Sequence, residues 1–274
     1  MKKVIVRLFA CMTGFGSLAA HASCTDVAPS SILALSHWKL TLPVDAHHGT
    51  SGEAADVATD DLTHGYRSGY FCVPPGGGVK FWAPVDGATT DNTDYPRSEL
   101  RYVIDPDDDN VNWRPADDDA SLSAQLVVER VPSSTRKVVI GQIHGFQTNA
   151  YIKLRYLYDP DTHSGSVAAL VNESPTASGS ANYGSVDGLA NGEPFTYSIS
   201  MVAREITIKI NGHVLASFHV QSGWLHEPMY FKAGSYDQAS GSSSTDGGRV
   251  TFYSLGAWSH AASGADAIFE DGLE

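Results

Sequence analysis

Positive charge is scarce in this sequence. Eighteen Lys and Arg face 31 Asp and Glu, for a formal net charge of −13. So acidic a chain argues against nucleic-acid binding, though a local basic groove for an acidic ligand is compatible with it. Long apolar runs are missing after the first 22 residues, which leaves no later segment able to span a membrane as a helix. Several catalytic signatures are absent as well: the Gly-x-Ser-x-Gly elbow, the phosphate-binding Gly-x-x-x-x-Gly-Lys and the His-Glu-x-x-His zinc motif. No internal repeat and no linker divides the chain. Cysteine is rare, with three in 274 residues.

Residues 1–22 read as a secretory signal. Lys2, Lys3 and Arg7 form a basic start, Val4 to Ala20 is largely apolar, and Ala20-His21-Ala22 is a small-x-small cleavage site. A transmembrane anchor is the rival, but the apolar stretch is short and interrupted by Arg7. Cleavage takes the net charge from −13 to −16 and predicts a secreted or periplasmic protein. Cys11 falls within the signal. Cys24 and Cys72 remain, either as two thiols or, in an oxidising compartment, as a disulfide tying the mature N-terminus to an early strand.

The mature chain is a succession of short strands. Ile32 to Leu35 is a candidate helical turn. His37 to Pro43 alternates and stops at proline. Tyr70 to Val73 and Val79 to Ala83 are separated by Pro74-Pro75-Gly76-Gly77-Gly78. Leu122, Ala124, Leu126 and Val128 alternate with polar or smaller neighbours. Further strands are read at 151–158, 167–171, 195–202, 205–210, 214–220 and 249–258, with Asn211-Gly212 as a type I′ hairpin turn. Residues 44–69 and 172–192 read as long polar loops, candidate lids. The acidic stretch from Asp105 to Asp119 begins like an EF-hand loop but lacks its glycine and its final glutamate, so a solvated loop is expected and no metal site is assigned. The sum is all-β: a two-sheet antiparallel sandwich of the jelly-roll, concanavalin-like kind, spanning 23–258, with a frayed acidic tail at 259–274.

Three strands carry alternating polar faces. In Val138 to His144, Gln142 and His144 share one face, and Val139 and Ile143 the other. In Arg97 to Tyr102, Arg97, Glu99 and Arg101 stand together. In Tyr230 to Gln238, Lys232, Gly234, Tyr236 and Gln238 do. On the next strand Tyr151, Lys153 and Arg155 share a face. Each strand alone could be a face washed by water; together they supply cations, an amide, an imidazole and a phenol, suited to an anionic substrate and proton transfer. A glycosidase needs two carboxylates placed across the sugar. Glu99, the one carboxylate on these faces, lies between Arg97 and Arg101, stays ionised, and is expected to hold the two arginines. That argues against hydrolysis. β-Elimination on a uronate fits better: Arg97, Gln142 and His144 neutralise the carboxylate beside the carbon that loses its proton, and Tyr236 protonates the leaving oxygen, its pKa lowered by nearby cations.

Arg97-Ser98-Glu99-Leu100-Arg101, Gln142-Ile143-His144 and Tyr230-Phe231-Lys232-Ala233-Gly234-Ser235-Tyr236 resemble, in order, the three signature regions of the polysaccharide lyase family 7 alginate lyases. Trp38-Lys39-Leu40-Thr41-Leu42-Pro43 is similar to that family's opening strand. The resemblance runs over roughly residues 36–258. It implies a jelly roll that cleaves alginate without a cofactor, with Arg97, Gln142 and His144 neutralising the carboxylate, Tyr236 as acid and base, and His144 as a base on guluronate. Glu99, Arg101, Lys153, Arg155, Lys232 and Gln238 are expected to line the substrate groove of an endo-acting monomer. A lyase for another polyuronate such as glucuronan, or a non-catalytic carbohydrate-binding module, are the alternatives.

Overall fold

The computed structural model describes residues 23–47, 52–91, 93–177 and 179–262. The expected signal at 1–22 and the acidic tail beyond residue 262 lie outside the described residues. Among those described, fifteen strands form two antiparallel sheets: β1 Trp38–Asp45, β2 Ala54–Val57, β3 Phe71–Cys72, β4 Val79–Pro84, β5 Arg97–Tyr102, β6 Asp118–Arg130, β7 Lys137–Gly145, β8 Ala150–Asp159, β9 Ser164–Val171, β10 Ala181–Ala190, β11 Pro194–Val202, β12 Glu205–Ile210, β13 His213–His219, β14 Met229–Asp237 and β15 Gly247–Ala261. One sheet has the order β10-β9-β8-β7-β14-β5-β1-β2, the other β13-β12-β11-β6-β15-β4-β3. This is the expected jelly-roll sandwich.

The two inner faces interdigitate in one core. Leu122, Ala124, Leu126 and Val128 of β6 all point into it, as their alternation predicts. Phe71, Phe81 and Phe252 meet edge-to-face with centroids 5.0 and 5.1 Å apart, each burial worth about 1.5–3 kcal/mol. Asn211 and Gly212 adopt φ of +50° and +79°, as a type I′ turn demands. Cys24 and Cys72 are joined in a disulfide that fastens the N-terminal segment to β3.

Several local readings are corrected. The loop expected at 44–69 contains β2 and a short helix, α1, at Thr59–Thr63. The loop expected at 172–192 is largely β10, which pairs with β9 along the edge of the eight-stranded sheet. Its sequence, with two glycines and one aromatic, shows no period-2 pattern because an edge strand here buries little. β1 runs through Pro43 to Asp45, its register slipping between Leu42 and Asp45 where the proline has no N–H to give. The turn read at 32–35 is a 3₁₀ turn at Pro29–Ser31, begun by the proline. β15 continues past Trp258 to Ala261, paired with the acidic start of β6.

Candidate active site

The site is built on the outer face of the eight-stranded sheet, where β14 lies between β7 and β5. In β14 the odd residues Phe231, Ala233 and Ser235 are fully buried toward the other sheet, so the even residues Tyr230, Lys232, Gly234 and Tyr236 face outward. The register sets Lys232 against both Arg101 and Gln142, Gly234 against Glu99, and Tyr236 against Arg97. Gly234 is required by closeness: a Cβ there would stand 2.4 Å from the Ser98 carbonyl oxygen and 2.7 Å from Glu99 Cα.

β7 departs from simple alternation. Val138 and Ile140 belong to the core, and so does Ile143, but Val139 does not. A register slip between Val139 and Gly141 against β8 supplies the extra residue. Val139 therefore shares the outer face with Gln142 instead of sharing the core face with Ile143. Gly141 turns inward, where a Cβ would lie 2.7 Å from the Tyr197 hydroxyl, and that hydroxyl donates to the Ile140 carbonyl at 3.0 Å. A second slip, between Ile143 and His144, leaves Tyr151 of β8 unpaired. Tyr151 is drawn into the core against Trp224, centroids 4.7 Å apart, and does not join Lys153 and Arg155.

Glu99 is the hub of the floor. It is 1% exposed, yet its carboxylate stands 3.2 Å from Arg97 Nη1, 3.4 Å from Lys232 Nζ, and accepts Gln142 Nε2 at 2.5 Å. Two cations and an amide offset its burial, as an interior carboxylate requires. Glu99 does not hold Arg101. That guanidinium swings the other way, donating to the Asp109 carbonyl at 2.9 Å, while Lys39 pairs with the Asp109 carboxylate at 2.6 Å. The acidic stretch is thus tied to the rim of the groove at Asp109 instead of being wholly solvated. Arg97 keeps a second edge in reserve: Nε and Nη2 are buried without a hydrogen-bond partner. Those two atoms form the side-on edge that grips a carboxylate with two parallel bonds.

His144 is held from two sides. Its Nδ1–H donates to the Gly145 carbonyl at 2.8 Å, and its ring stacks on Tyr230 with centroids 5.4 Å apart. Arg101 covers the same phenol ring at 4.3 Å. With Nδ1 carrying the proton, Nε2 has the free lone pair. Burial, then Lys232 and Arg97, push the imidazole pKa down to about 3, so it is neutral at pH 7. Tyr236 lies under the Arg97 guanidinium, 3.9 Å from its ring centroid. Its pKa is raised, because burial outweighs the lowering by Arg97. This reverses the expected direction and keeps the phenol protonated at pH 7.

The remaining candidates divide. Burial, and then Arg97, lower Lys232 to about 8 and lower Lys153 as well; Arg155 sits beside Val139 in the same register. Gln238 lies just past the end of β14, and its amide turns back to the Asp237 carbonyl at 2.6 Å. Tyr230, Lys39 and Asp109 were not singled out from sequence. Parity alone marks Tyr230, an even residue of β14; Lys39 is legible only through its pairing with Arg101, and Asp109 only in three dimensions.

A cationic floor around one buried carboxylate, flanked by a protonated phenol and a neutral imidazole, on a jelly roll, is the apparatus of a polysaccharide lyase acting on acidic sugars. Within that class the chain belongs to the alginate lyase family, polysaccharide lyase family 7, whose model matches residues 33–259. It is 28% identical over 279 residues to an alginate lyase of Klebsiella pneumoniae, covering 83% of this chain and 90% of that one. A crystal structure of an alginate lyase from Pseudomonas aeruginosa superposes with a TM-score of 0.73 at 37% identity, covering 82% of this chain and 98% of the other. A family 7 alginate lyase solved with its product GGG superposes with a TM-score of 0.75 at 28% identity, covering 85% of this chain and all of that one.

Proposed function

We propose that this chain cleaves alginate within the polymer by β-elimination, as a monomer exported by residues 1–22. The observation that carries the mechanism is the unpartnered Nε/Nη2 edge of Arg97, whose guanidinium lies over the Tyr236 ring. A uronate carboxylate on that edge withdraws charge from C5 as its proton leaves. His144 Nε2 takes the proton. The C5–H electrons form the C4=C5 double bond, the C4–O bond breaks, and the Tyr236 hydroxyl gives its proton to the departing oxygen. The incoming carboxylate also cancels part of the positive field that depresses His144, strengthening the base when it is needed. Gln142 and Lys232 hold Glu99, and through it Arg97.

Two separate groups suit guluronate, in which H5 and the C4–O bond lie on opposite faces of the ring. In mannuronate they share a face, and Tyr236 alone would have to ionise first; its raised pKa opposes that. We therefore infer faster turnover on guluronate blocks. Endo action rests on the breadth of the cationic face: Lys153 on β8, Lys232 on β14, Arg97 and Arg101 on β5 and Lys39 on β1 span five neighbouring strands, roughly 19 Å at about 4.8 Å per strand. Export is supported by the Cys24–Cys72 disulfide. The test is near-UV absorbance with alginate, its two block types and glucuronan side by side. The expected result is a rise with alginate, faster on guluronate blocks. A rise with glucuronan alone would favour the other polyuronate, and no rise at all would leave only binding.

A further inference from the structure

The strand that carries Tyr236 is fastened from behind. β14 has nearly run out at this residue: it ends at Asp237, and its pairing with β7 slips between Ala233 and Tyr236. A side chain near the end of an irregularly paired strand has little regular backbone to hold it in place. On the groove side its ring lies against the Arg97 guanidinium, 3.9 Å from the centroid.

The anchor is on the inner face. Asp237 follows Tyr236 and, by alternation, points the opposite way, into the space between the sheets. It is fully buried. Its Oδ2 accepts the Gly248 N–H of β15, on the facing sheet, at 3.2 Å. Its backbone N–H donates to the Pro96 carbonyl, just ahead of β5, at 3.1 Å, and Val138 of β7 stands opposite it in register. One residue thus joins the end of β14 to β5, to β7 and, through its side chain alone, to the other sheet.

The fit is close. A Cβ on Gly248 would lie 2.3 Å from Asp237 Oδ1 and 2.6 Å from Ser235 Oγ, so a bare backbone on β15 makes the room that the carboxyl occupies. The contact also has a cost. Asp237 Oδ1 and Ser235 Oγ are buried without a hydrogen-bond partner among the described residues. Burial raises the carboxyl's pKa well above the ordinary range, with the Gly248 N–H opposing the shift and Asp246 adding to it. An apolar side chain here would cost less. A rule of local stability broken directly behind a reacting group marks a functional demand.

We propose that Asp237 is a positioning residue for the reaction: its carboxyl, seated over Gly248, sets the height and tilt of Tyr236 against Arg97. The proposal rests on the reading of Tyr236 as the proton donor to the leaving oxygen. Asp237 touches no substrate, because its side chain lies on the far side of the sheet from the groove. Losing the anchor lets the phenol drift from the departing oxygen while Arg97 keeps its grip on the uronate carboxylate. Misplacing a reacting group by about 1 Å can cost about 10²-fold in rate.

Asp237→Ala removes the anchor, whereas Asp237→Asn keeps its shape and an acceptor for the Gly248 N–H. Kinetics on alginate are measured at a temperature where circular dichroism shows each variant folded. For Asp237→Ala, kcat should fall at least ~10-fold with KM within about twofold of the wild type; for Asp237→Asn, kcat should stay within about twofold. The same change is then made in Tyr236→Phe, where there is no phenol proton to aim, and there Asp237→Ala should cost nothing further. A normal kcat in Asp237→Ala, an Asp237→Asn as slow as Asp237→Ala, or a full loss added on top of Tyr236→Phe would each overturn the proposal. Should Asp237→Ala not fold, Gly248→Ala drives the carboxyl aside with Asp237 in place; it should lower kcat in the same way and be silent in Tyr236→Phe, and normal or additive behaviour overturns the proposal again. A Tyr236→Phe enzyme of near-normal turnover would sink the proton-donor reading and this proposal with it, whereas additive losses sink the positioning role alone.

Discussion

At Tyr236 and His144 two titratable groups sit within one charged cluster yet are held in opposite states of readiness. Burial raises the phenol and keeps its proton; burial and cations lower the imidazole to about 3 and keep its lone pair. Environments that set acid and base apart in this way mark their roles. Tyr236→Phe should cut turnover at least ~10²-fold while binding survives, measured as kcat against KM on the best substrate. His144→Ala should lose more on guluronate blocks than on mannuronate blocks; equal losses on both would remove its role as base. Lys232 gives a pH signature. Its ammonium, lowered to about 8, is charged below that pH and loses its proton above it. Groove charge, and with it kcat/KM, should therefore fall as pH rises through about 8. Lys232→Arg, which does not titrate in that range, should move this limb upward. Because free His144 stays neutral to about 3, kcat/KM should show no acid limb at the ordinary histidine value.

The element that fixes the geometry is the β14 strand, and its tightest point is Gly234. A methyl group there collides with the β5 backbone, not with a movable side chain. Gly234→Ala should force β14 off β5, widen the gap between Tyr236 and Arg97, and lower the melting temperature by several degrees together with activity. A variant of normal stability and turnover would contradict the close approach. This element was legible from sequence because β5 and β14 alternate without interruption: Arg97, Glu99, Lys232 and Tyr236 fall on one face by parity alone. β7 was only half legible. Its two register slips move Val139 outward and Tyr151 inward, and a slip leaves no mark in a run of Val, Ile and Gly where either parity looks plausible. The direction of Arg101 was hidden for another reason. Two arginines flanking one glutamate look alike in sequence, and only the fold brings Asp109 close enough to draw one away. β10 was missed because a polar edge strand buries too little to print a pattern.

Over the whole molecule, a strongly negative chain presents a positive groove to a negative polymer. Attraction at the groove should dominate over repulsion elsewhere, so KM for alginate should rise as salt is added. A KM that falls steadily with salt would mean that the acidic surface governs encounter instead. The order of strands has a further consequence, in time. β14 is bordered by β7 and β5, and β15 by β6 and β4, so the two latest strands each occupy the middle of a sheet whose flanks were synthesised earlier. A growing chain that stops short of Met229 has Arg97 on one half-sheet and Gln142 on another, with nothing to bring them together and two long open edges facing water. Such contacts between distant parts of the chain make folding slow. The cluster around Glu99 therefore comes together only with the final strands. A chain cut before Met229 should show no lyase activity, and until β14 and β15 are seated in their two sheets a growing chain is exposed to pairing with its neighbours.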